Sequence, residues 1–320
     1  MPIISIVIPT FNRGDLIIQT VSSILKNSFK NFEIIIVEQG KNSTLKKGTY
    51  LLKNKNIKYF CIDKPNASKA KNYGIRRSKG KYIAFTDDDC IVSTNWLKNI
   101  ISTFEKNKNI DAIFGSVYEH KPNLHEKQIC PSVFKVNKSK IITKPTYHKK
   151  SLGFGNNFII KKSILDKYGG FSEWLGPGSM SYAAEDAEIA IRLLMNNKII
   201  YYNKNVRIEH NRWLTPNEMG RQMFYYNCGE IACYGYLYLL GCSFAKKIIH
   251  TNFFIIKRQL RKNIIKYKKY GLKKYLIIES LIIFTNIAYE LKGLLIAIYI
   301  TLFNKITDRL RHQTIIESSL

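Results

Sequence analysis

The sequence predicts an α/β protein built on a mostly parallel central sheet that is flanked by helices. Short β-branched runs alternate with segments in which apolar residues recur at helical spacing, and Pro, Gly or Asp residues end the runs. The chain has 320 residues, of which 45% are hydrophobic, so it is long enough for one large or two ordinary domains. This composition excludes disorder over most of the length.

The first part of the chain carries the strand and helix alternation. Runs rich in Ile, Val, Tyr and Phe predict strands, at residues 3–8, 32–37, 57–61 and 82–85. Apolar residues three to four apart predict the helices between them, at residues 14–26, near 43–53, and at 67–77. Strands that alternate with helices in this way are typical of a parallel sheet with crossover connections.

After residue 90 the alternation of predicted strands and helices becomes less regular. Residues 93–106 predict a helix with Ser93 as its cap, and residues 110–117 predict a strand. Residues 120–150 show little periodicity and are predicted to form a long loop. Residues 183–195 predict a helix with carboxylates in its first turn, where the helix dipole favours negative charge.

The character of the chain changes near residue 215, which divides it into a predicted domain at 1–215 and a helical, basic region at 216–320. Lys and Arg residues between positions 246 and 274 occur without a single Asp or Glu, and apolar residues recur among them at helical spacing. Residues 276–303 are very apolar but contain Glu279, Glu290 and Lys292, so the region is predicted to lie on a membrane rather than to cross it. The alternative is a helical packing domain with a solvated basic face.

Lys and Arg outnumber Asp and Glu by 51 to 23, a formal charge of +28, which predicts an anionic ligand or surface. The six cysteines form no Cys-x-x-Cys pair, and the N-terminus has no basic region ahead of its apolar run. Both features favour a cytoplasmic protein. A nucleic-acid-binding protein is the alternative from another class, but only the charge supports it.

Candidate chemistry follows the predicted strands at their carboxyl ends, in the loops 10–13, 38–41 and 87–89. Neither a Gly-x-Gly-x-x-Gly motif nor a phosphate-binding P-loop is present, which argues against hydride transfer and P-loop hydrolysis. Asp87, Asp88 and Asp89 are adjacent, and a divalent cation such as Mg²⁺ or Mn²⁺ would neutralise their mutual repulsion. A solvated acidic turn or a helix cap is the alternative.

Two further positions are candidates. Glu185 and Asp186 open the predicted helix after a Gly-rich loop, where a carboxylate is placed to act as a general base or simply to favour the helix dipole. His210 follows a strand-like run and is either a metal ligand or a structural residue. Arg192, on the helix of Asp186, is predicted to pair with an acid or a phosphate, or to form a buried structural salt bridge.

The ordered blocks in residues 3–211 resemble the family 2 glycosyltransferases. The blocks are Ser5–Arg13, Glu33–Glu38, Ala70–Ile75, Tyr82–Asp89, and Gly169–Phe171 with Glu185 and Asp186. The resemblance implies a GT-A fold, which is a Rossmann-like nucleotide half merged with an acceptor half. Gln39, Gly40 and Lys41 depart from the family's usual Asp-Gly-Ser, and Lys71 stands where an Arg is more usual.

The resemblance also implies roles for individual residues. Asp87 and Asp89 would hold Mn²⁺ or Mg²⁺ with His210 as the further candidate ligand, and Asp186 would deprotonate the acceptor with inversion at the anomeric carbon. The implied donor contacts are Pro9, Thr10, Asn12, Arg13, Glu38, Lys71, Asn72, Asp87 and Asp88.

The function predicted from these features is sugar transfer from a nucleoside diphosphate sugar, with UDP as the favoured nucleotide, to a hydroxyl of a glycan or lipid-linked acceptor in bacterial cell-surface polysaccharide synthesis. The enzyme would sit on the anionic inner face of the cytoplasmic membrane through its basic tail and would bind no nucleic acid. The alternatives are a sugar-nucleotide-forming nucleotidyltransferase and a non-enzymatic basic protein that binds nucleic acid or membrane.

Overall fold

The computed structural model describes residues 1–40, 53–145, 152–251 and 287–304. The chain divides into two compact units, one of residues 1–179 and 185–220 and the other of residues 180–184 and 221–320. The division into domains at residue 215 stays a prediction. The helix predicted near residues 43–53 lies almost wholly outside the described residues, as does most of the basic amphipathic segment.

The first unit contains nine described strands and five helices, and a sixth helix begins in it. The strands are β1 (Ile4–Thr10), β2 (Phe32–Gln39), β3 (Ile57–Ile62), β4 (Tyr82–Phe85), β5 (Cys90–Val92), β6 (Ala112–Glu119), β7 (Lys140–Ile142), β8 (Phe158–Lys161) and β9 (Ile200–His210). The helices are α1 (Gly14–Leu25), α2 (Ala67–Arg77), α3 (Trp96–Lys106), α4 (Lys162–Tyr168), α5 (Glu185–Met195) and α6 (Pro216–Leu239).

The strands form one sheet in the order β3-β2-β1-β4-β8-β6-β9-β5, with β7 also paired to β9. The half that contains β3, β2, β1 and β4 is entirely parallel, and β1 and β2 are buried along their whole length. This explains their continuous Ile and Val runs, because a strand covered on both faces has no polar side. Beyond β4 the pairings of β8, β5 and β7 are antiparallel, whereas β6 and β9 pair in parallel, so the sheet as a whole is mostly parallel, as predicted.

Several local predictions need correction. Helix α3 begins at Trp96 rather than at Ser93, and Ser93 contributes only its carbonyl, which accepts from the Trp96 N–H at 2.9 Å. The segment predicted as a loop at 120–150 contains β7, and β5 was not predicted. Both strands have three residues, so they are too short to produce a periodic signal, and pairing with β9 defines them.

Two glycines allow their neighbours to pack closely against the sheet, one in α2 and one in β6. A Cβ on Gly74 would lie 2.4 Å from a methyl group of Val7, so only a glycine lets α2 pack this closely on β1. A Cβ on Gly115 would lie 2.2 Å from the side chain of Asn157. Asn157 uses that space to donate to the carbonyls of Ser116 and Val206 at 2.9 Å, where the pairing of β6 with β9 shifts register. The Gly155–Asn157 turn is therefore anchored to the sheet.

The second unit contains most of α6 and the described helix Ile287–Asn304. Small residues let these helices pack closely, since a Cβ on Gly293 would lie 2.5 Å from the Cys228 carbonyl and one on Gly235 3.0 Å from Ala297. Glu290 and Lys292, predicted from the sequence as interruptions, lie within the continuous helix. Residues 287–304 are long and apolar enough to cross a membrane by length and composition.

Candidate active site

Three loops meet at the carboxyl edge of the parallel half of the sheet. β1 pairs with β2 on one side and with β4 on the other, all in parallel, and the register places Thr10 beside Glu38. The last residues of β1 and β2 and the segments that follow the three strands, at residues 10–13, 39–40 and 86–89, therefore lie at one edge of the sheet, as predicted. Arg13 and the three adjacent aspartates, Asp87 to Asp89, therefore lie at this edge.

Asp88 is buried and connects the aspartate loop to β1 and α1. Its carboxylate accepts a hydrogen bond from the Thr10 hydroxyl at 2.6 Å and pairs with Arg13 at 3.0 Å, while its carbonyl accepts from the Thr20 hydroxyl at 2.8 Å. Burial raises the pKa of Asp88 to about 6, although the charge of Arg13 opposes this shift. Both carboxylate oxygens are engaged within the protein, and the contact of Asp88 with the donor sugar stays a prediction.

Asp89 is paired with two cationic groups. Its Oδ2 lies 2.7 Å from a guanidinium nitrogen of Arg13, and its Oδ1 lies 3.2 Å from Nε2 of His210. Burial opposes ionisation, but His210 and Arg13 outweigh it and lower the pKa of Asp89 to about 2. Asp89 is therefore a carboxylate at neutral pH, which is the form that binds a divalent cation. Arg13 pairs with Asp88 and Asp89, and its predicted contact with the base and ribose stays a prediction.

His210 is the last residue of β9 and is buried beside Asp89. Its Nδ1 lies 2.7 Å from the carbonyl oxygen of Pro131, so Nδ1–H donates to that carbonyl and Nε2 faces Asp89. Burial disfavours the imidazolium, yet the hydrogen bond and charge of Asp89 raise the pKa of His210 to about 10. Metal-binding histidines are likewise held by a backbone carbonyl at one nitrogen, while the other nitrogen binds the metal as part of a neutral ring. Nε2 of His210 would therefore have to release its proton to bind a metal ion.

The donor set at this edge fits a divalent metal ion. Asp89, Cys90 and His210 each offer one ligand atom, these atoms lie within 4.8 Å of one another, and all three residues are buried. Asp87, the other predicted ligand, lies outside this group among the described residues, and its role as a ligand stays a prediction. Cys90 was not predicted as a ligand from the sequence, because only the pairing of β5 with β9 places it next to His210.

Lys71 lies within a second, buried cluster of carboxylates. Its Nζ is 2.9 Å from the Glu185 carboxylate and 4.9 Å from the centre of the Phe171 ring. Burial opposes the charge, but Glu185, Asp87 and Asp186 outweigh it and raise the pKa of Lys71. Burial raises the pKa of Asp87 in turn, and Lys71 opposes that shift. Lys71 was predicted beside the donor phosphates, and in the structure its charge compensates these carboxylates.

Asp186 lies in the first turn of α5 and is held by backbone donors. Its Oδ2 accepts from the Gly155 N–H at 2.9 Å, and its Oδ1 accepts from the Ala187 N–H at 2.8 Å. Burial and the charge of Glu185 raise the pKa of Asp186 to about 6, although Lys71 opposes this shift. A carboxylate with a pKa in this range can accept a proton near neutral pH, as a general base must.

Two polar side chains hold the loop between α4 and α5. The Asn72 amide donates to the Phe171 carbonyl and accepts from the Phe171 N–H, both at 2.8 Å. Arg192 donates to both oxygens of Glu188, at 2.8 and 3.0 Å, and to the Gly170 carbonyl at 2.6 Å. Arg192 therefore forms the structural salt bridge, one of its two predicted alternatives. Asn72 also has a structural contact, and its contact with the donor stays a prediction.

The predicted base-binding positions lie around the end of β2. Glu38 is fully buried and accepts a hydrogen bond from the Tyr59 hydroxyl on the neighbouring strand β3, a partner that was not identified from the sequence. Pro9 lies within β1, and Asn12 is exposed in the left-handed region at φ +53°, which Asn tolerates better than most residues. The roles of these residues in binding the nucleotide stay predictions.

Comparison with known proteins gives a consistent picture. The family described as Glycosyl transferase family 2 matches residues 5–169, which is more than half of the chain. Among curated relatives, an uncharacterized glycosyltransferase of Rickettsia conorii is 35% identical over 39% of this chain. The poly(ribitol-phosphate) beta-N-acetylglucosaminyltransferase TarP of Staphylococcus aureus is 26% identical over 67% of this chain.

A third relative is the UDP-Glc:alpha-D-GlcNAc-diphosphoundecaprenol beta-1,3-glucosyltransferase WfaP of Escherichia coli, which is 35% identical over 34% of this chain. The chain spans only 20%, 63% and 43% of the length of these three relatives, respectively. The activities in these names therefore belong to the whole relatives and are not assigned to this chain by the comparison.

Solved structures support the fold. TarS 1-349 of Staphylococcus aureus superposes with a TM-score of 0.52 at 17% identity and covers 72% of this chain and 66% of its own. The mannosyltransferase PcManGT from Pyrobaculum calidifontis, solved in complex with GDP-Man and Mn²⁺, gives a TM-score of 0.57 at 13% identity over 92% of this chain and 87% of its own. At these identities the likeness shows the GT-A fold.

Proposed function

We propose, starting from the fact that the chain belongs to glycosyl transferase family 2, that it transfers a sugar from a nucleoside diphosphate sugar to an acceptor hydroxyl with inversion. The observation that carries the proposal is the different placement of two carboxylates. An oxygen of Asp89 lies within 4.8 Å of a ligand atom of His210, whereas Asp186 is held by two backbone N–H groups in the first turn of α5. The pKa of Asp89 is lowered to about 2 and that of Asp186 is raised to about 6. One therefore suits a metal ligand and the other a base. Membership of the family decides against the nucleotidyltransferase and the non-enzymatic alternatives.

In the proposed reaction Asp89 and His210 would hold a divalent cation. When bound, such a cation supplies positive charge that stabilises the departing diphosphate. Asp186 accepts the proton of the acceptor hydroxyl, which raises the nucleophilicity of that oxygen toward the anomeric carbon. Lys71 keeps the neighbouring carboxylates charge-compensated, because it lies within reach of Glu185, Asp87 and Asp186. Attack opposite the leaving diphosphate inverts the anomeric configuration.

We further propose a UDP sugar as the donor and a hydroxyl of a cell-surface glycan or of its lipid-linked precursor as the acceptor. WfaP supports both parts, since its name specifies UDP-Glc and an acceptor on diphosphoundecaprenol. TarP, whose acceptor is poly(ribitol-phosphate), supports a cell-surface glycan in bacteria. These relatives share only part of their length with this chain, so the identity of the donor needs a direct measurement of nucleotide binding.

The donor site is tested by thermal unfolding with UDP, UDP-glucose, UDP-GlcNAc and GDP-mannose, each with and without Mn²⁺. A ligand at 100 times its dissociation constant adds about 2.7 kcal/mol, which raises the midpoint by about 5 to 10 °C in a domain of this size. We expect this shift for one nucleotide in the presence of Mn²⁺ and its loss in Asp89→Asn.

The matched control is Asp166→Asn, since Asp166 is an exposed carboxylate whose partner is Lys162 on the same helix. This variant is expected to keep the full ligand shift. A shift of equal size in Asp89→Asn would contradict the metal site, and the absence of a shift with every nucleotide would contradict the proposed donor class.

We also propose that the second unit holds the enzyme on the inner face of the cytoplasmic membrane. Helix Ile287–Asn304 exposes an apolar stripe with a spacing of three to four residues, which consists of Leu291, Leu294, Leu295, Ile298, Leu302 and Phe303. The Lys and Arg run at 246–274 supplies positive charge for anionic lipid. An apolar stripe with flanking basic residues is typical of a segment that lies in the membrane interface.

Cosedimentation with lipid vesicles tests this attachment. We expect retention on vesicles that contain anionic lipid, weaker retention on neutral vesicles, and release from the anionic vesicles as salt increases. Leu295→Glu places a charge on the stripe and is expected to reduce retention, whereas Lys69→Met, on the first unit, should not. Equal, salt-independent retention on both vesicle types would contradict a peripheral, charge-dependent attachment.

A further inference from the structure

Cys90 is placed beside both proposed metal ligands by the sheet itself. β5 and β9 pair in antiparallel register with Cys90 directly opposite His210, so their side chains point to the same face. The Cys90 Sγ lies 3.9 Å from Oδ1 of Asp89, which is the same oxygen that lies 3.2 Å from Nε2 of His210. Sulfur, oxygen and nitrogen atoms thus converge on one point, within 4.8 Å of one another.

We propose that Cys90 is a third protein ligand of the metal ion, so that this site takes a thiophilic divalent cation such as Zn²⁺ or Cd²⁺ in addition to Mn²⁺. The inference rests on the proposed metal-dependent function and deepens it. A carboxylate alone suits the hard ion Mg²⁺, whereas a thiolate and an imidazole favour softer ions. On binding, the Cys90 thiol and Nε2 of His210 each release a proton to solvent, and the freed lone pairs on sulfur and nitrogen form the bonds to the metal.

A second cysteine near His210 provides a control. Cys130 Sγ lies 3.4 Å from the His210 carbonyl and 3.7 Å from Nδ1, which is the ring nitrogen turned away from Asp89. That side of the ring is occupied by the hydrogen bond to Pro131. Cys130 is therefore close to the histidine without being part of the group that contains Asp89.

The probe is Cd²⁺ alone, followed by the ultraviolet sulfur-to-cadmium charge-transfer band and by calorimetry. The exposed thiol of Cys61 is replaced by Ser in every protein tested, so that it cannot contribute to the band. We expect a saturable band that persists in Cys130→Ala and is lost in Cys90→Ala. The affinity for Cd²⁺ should fall by roughly 10- to 100-fold in Cys90→Ala, while the affinity for Mg²⁺ stays the same.

A band of unchanged size in Cys90→Ala, or Cd²⁺ binding without a thiolate band in the parent protein, would overturn the inference. Loss of the band in Cys130→Ala alone would assign the thiolate to the other side of the ring and would also overturn it. Cys90→Ser gives the same readout if Cys90→Ala fails to fold. The Mn²⁺-dependent shift with nucleotide is measured on the same proteins, so a failure of Cys90 as a ligand is distinguishable from a failure of the proposed donor site.

Discussion

Asp186→Asn is expected to lower the turnover number by about 100- to 10,000-fold, which is the usual contribution of a general base. Asn has nearly the shape of Asp but cannot accept the proton of the attacking hydroxyl. The side chain keeps an oxygen that can accept from one of the two backbone N–H groups, at Gly155 or Ala187. We therefore expect donor binding to survive while turnover is lost.

Turnover can be followed without knowledge of the acceptor as nucleoside diphosphate release from UDP-GlcNAc or UDP-glucose, with water in place of the acceptor. Asp166→Asn is the control and should retain the parent rate, since Asp166 is an exposed carboxylate outside the site. The thermal shift with donor and Mn²⁺ should be the same in Asp186→Asn as in the parent protein. A variant that binds donor normally and keeps more than about a tenth of the parent rate would contradict the role of a base.

The pH dependence of the parent enzyme is a second measure of the same group. The pKa of Asp186 in the free protein is raised to about 6 by burial and by the charge of Glu185. The base form therefore predominates above pH 6 and is lost as the pH falls through that value, so kcat/KM should decrease about tenfold per pH unit below it. A profile that stays flat from pH 7 to pH 5 would exclude Asp186 as the base.

The parallel half of the fold could be predicted from the sequence because its strands are buried on both faces and its helices are amphipathic. The runs at 32–37 and 82–85 lie within β2 and β4, and the run at 3–8 overlaps β1 except at residue 3. The strands β5 and β7 could not be predicted, because three residues give no period and their pairing partner, β9, lies far away in the chain. β9 itself was only partly predicted, because its alternation is interrupted where the register shifts.

The candidate site, too, could be predicted only in part from the sequence. The adjacent aspartates identify a site, but their separate environments depend on residues remote in sequence. Asp88 is buried against Thr10, whereas Asp89 lies between Arg13 and His210. Identical side chains at consecutive positions thus have pKa values on opposite sides of the ordinary one. No local pattern specifies that difference, because it arises from tertiary contacts.

Lys71→Met is expected to lower the free energy of unfolding by about 3 to 5 kcal/mol, which corresponds to a decrease of roughly 6 to 20 °C in the unfolding midpoint. Lys71 is 3% exposed and its ammonium compensates Glu185, at 2.9 Å, and the charges of Asp87 and Asp186. Removal of the cation leaves buried carboxylates without a partner, whereas the methionine still fills the space of the aliphatic stem.

The control is Lys69→Met on the same helix, because Lys69 is exposed and its loss should change the midpoint by no more than about 1 to 2 °C. The double variant Lys71→Met with Glu185→Gln removes both charges of the ion pair and should recover part of the lost stability, since the largest penalty comes from an unpaired buried charge. Equal losses in Lys71→Met and in the double variant would show that packing, rather than charge compensation, is what Lys71 contributes. Recovery in the double variant would instead establish that the positive charge of Lys71 allows carboxylates to be buried next to Asp186, and hence allows a base of raised pKa to exist there.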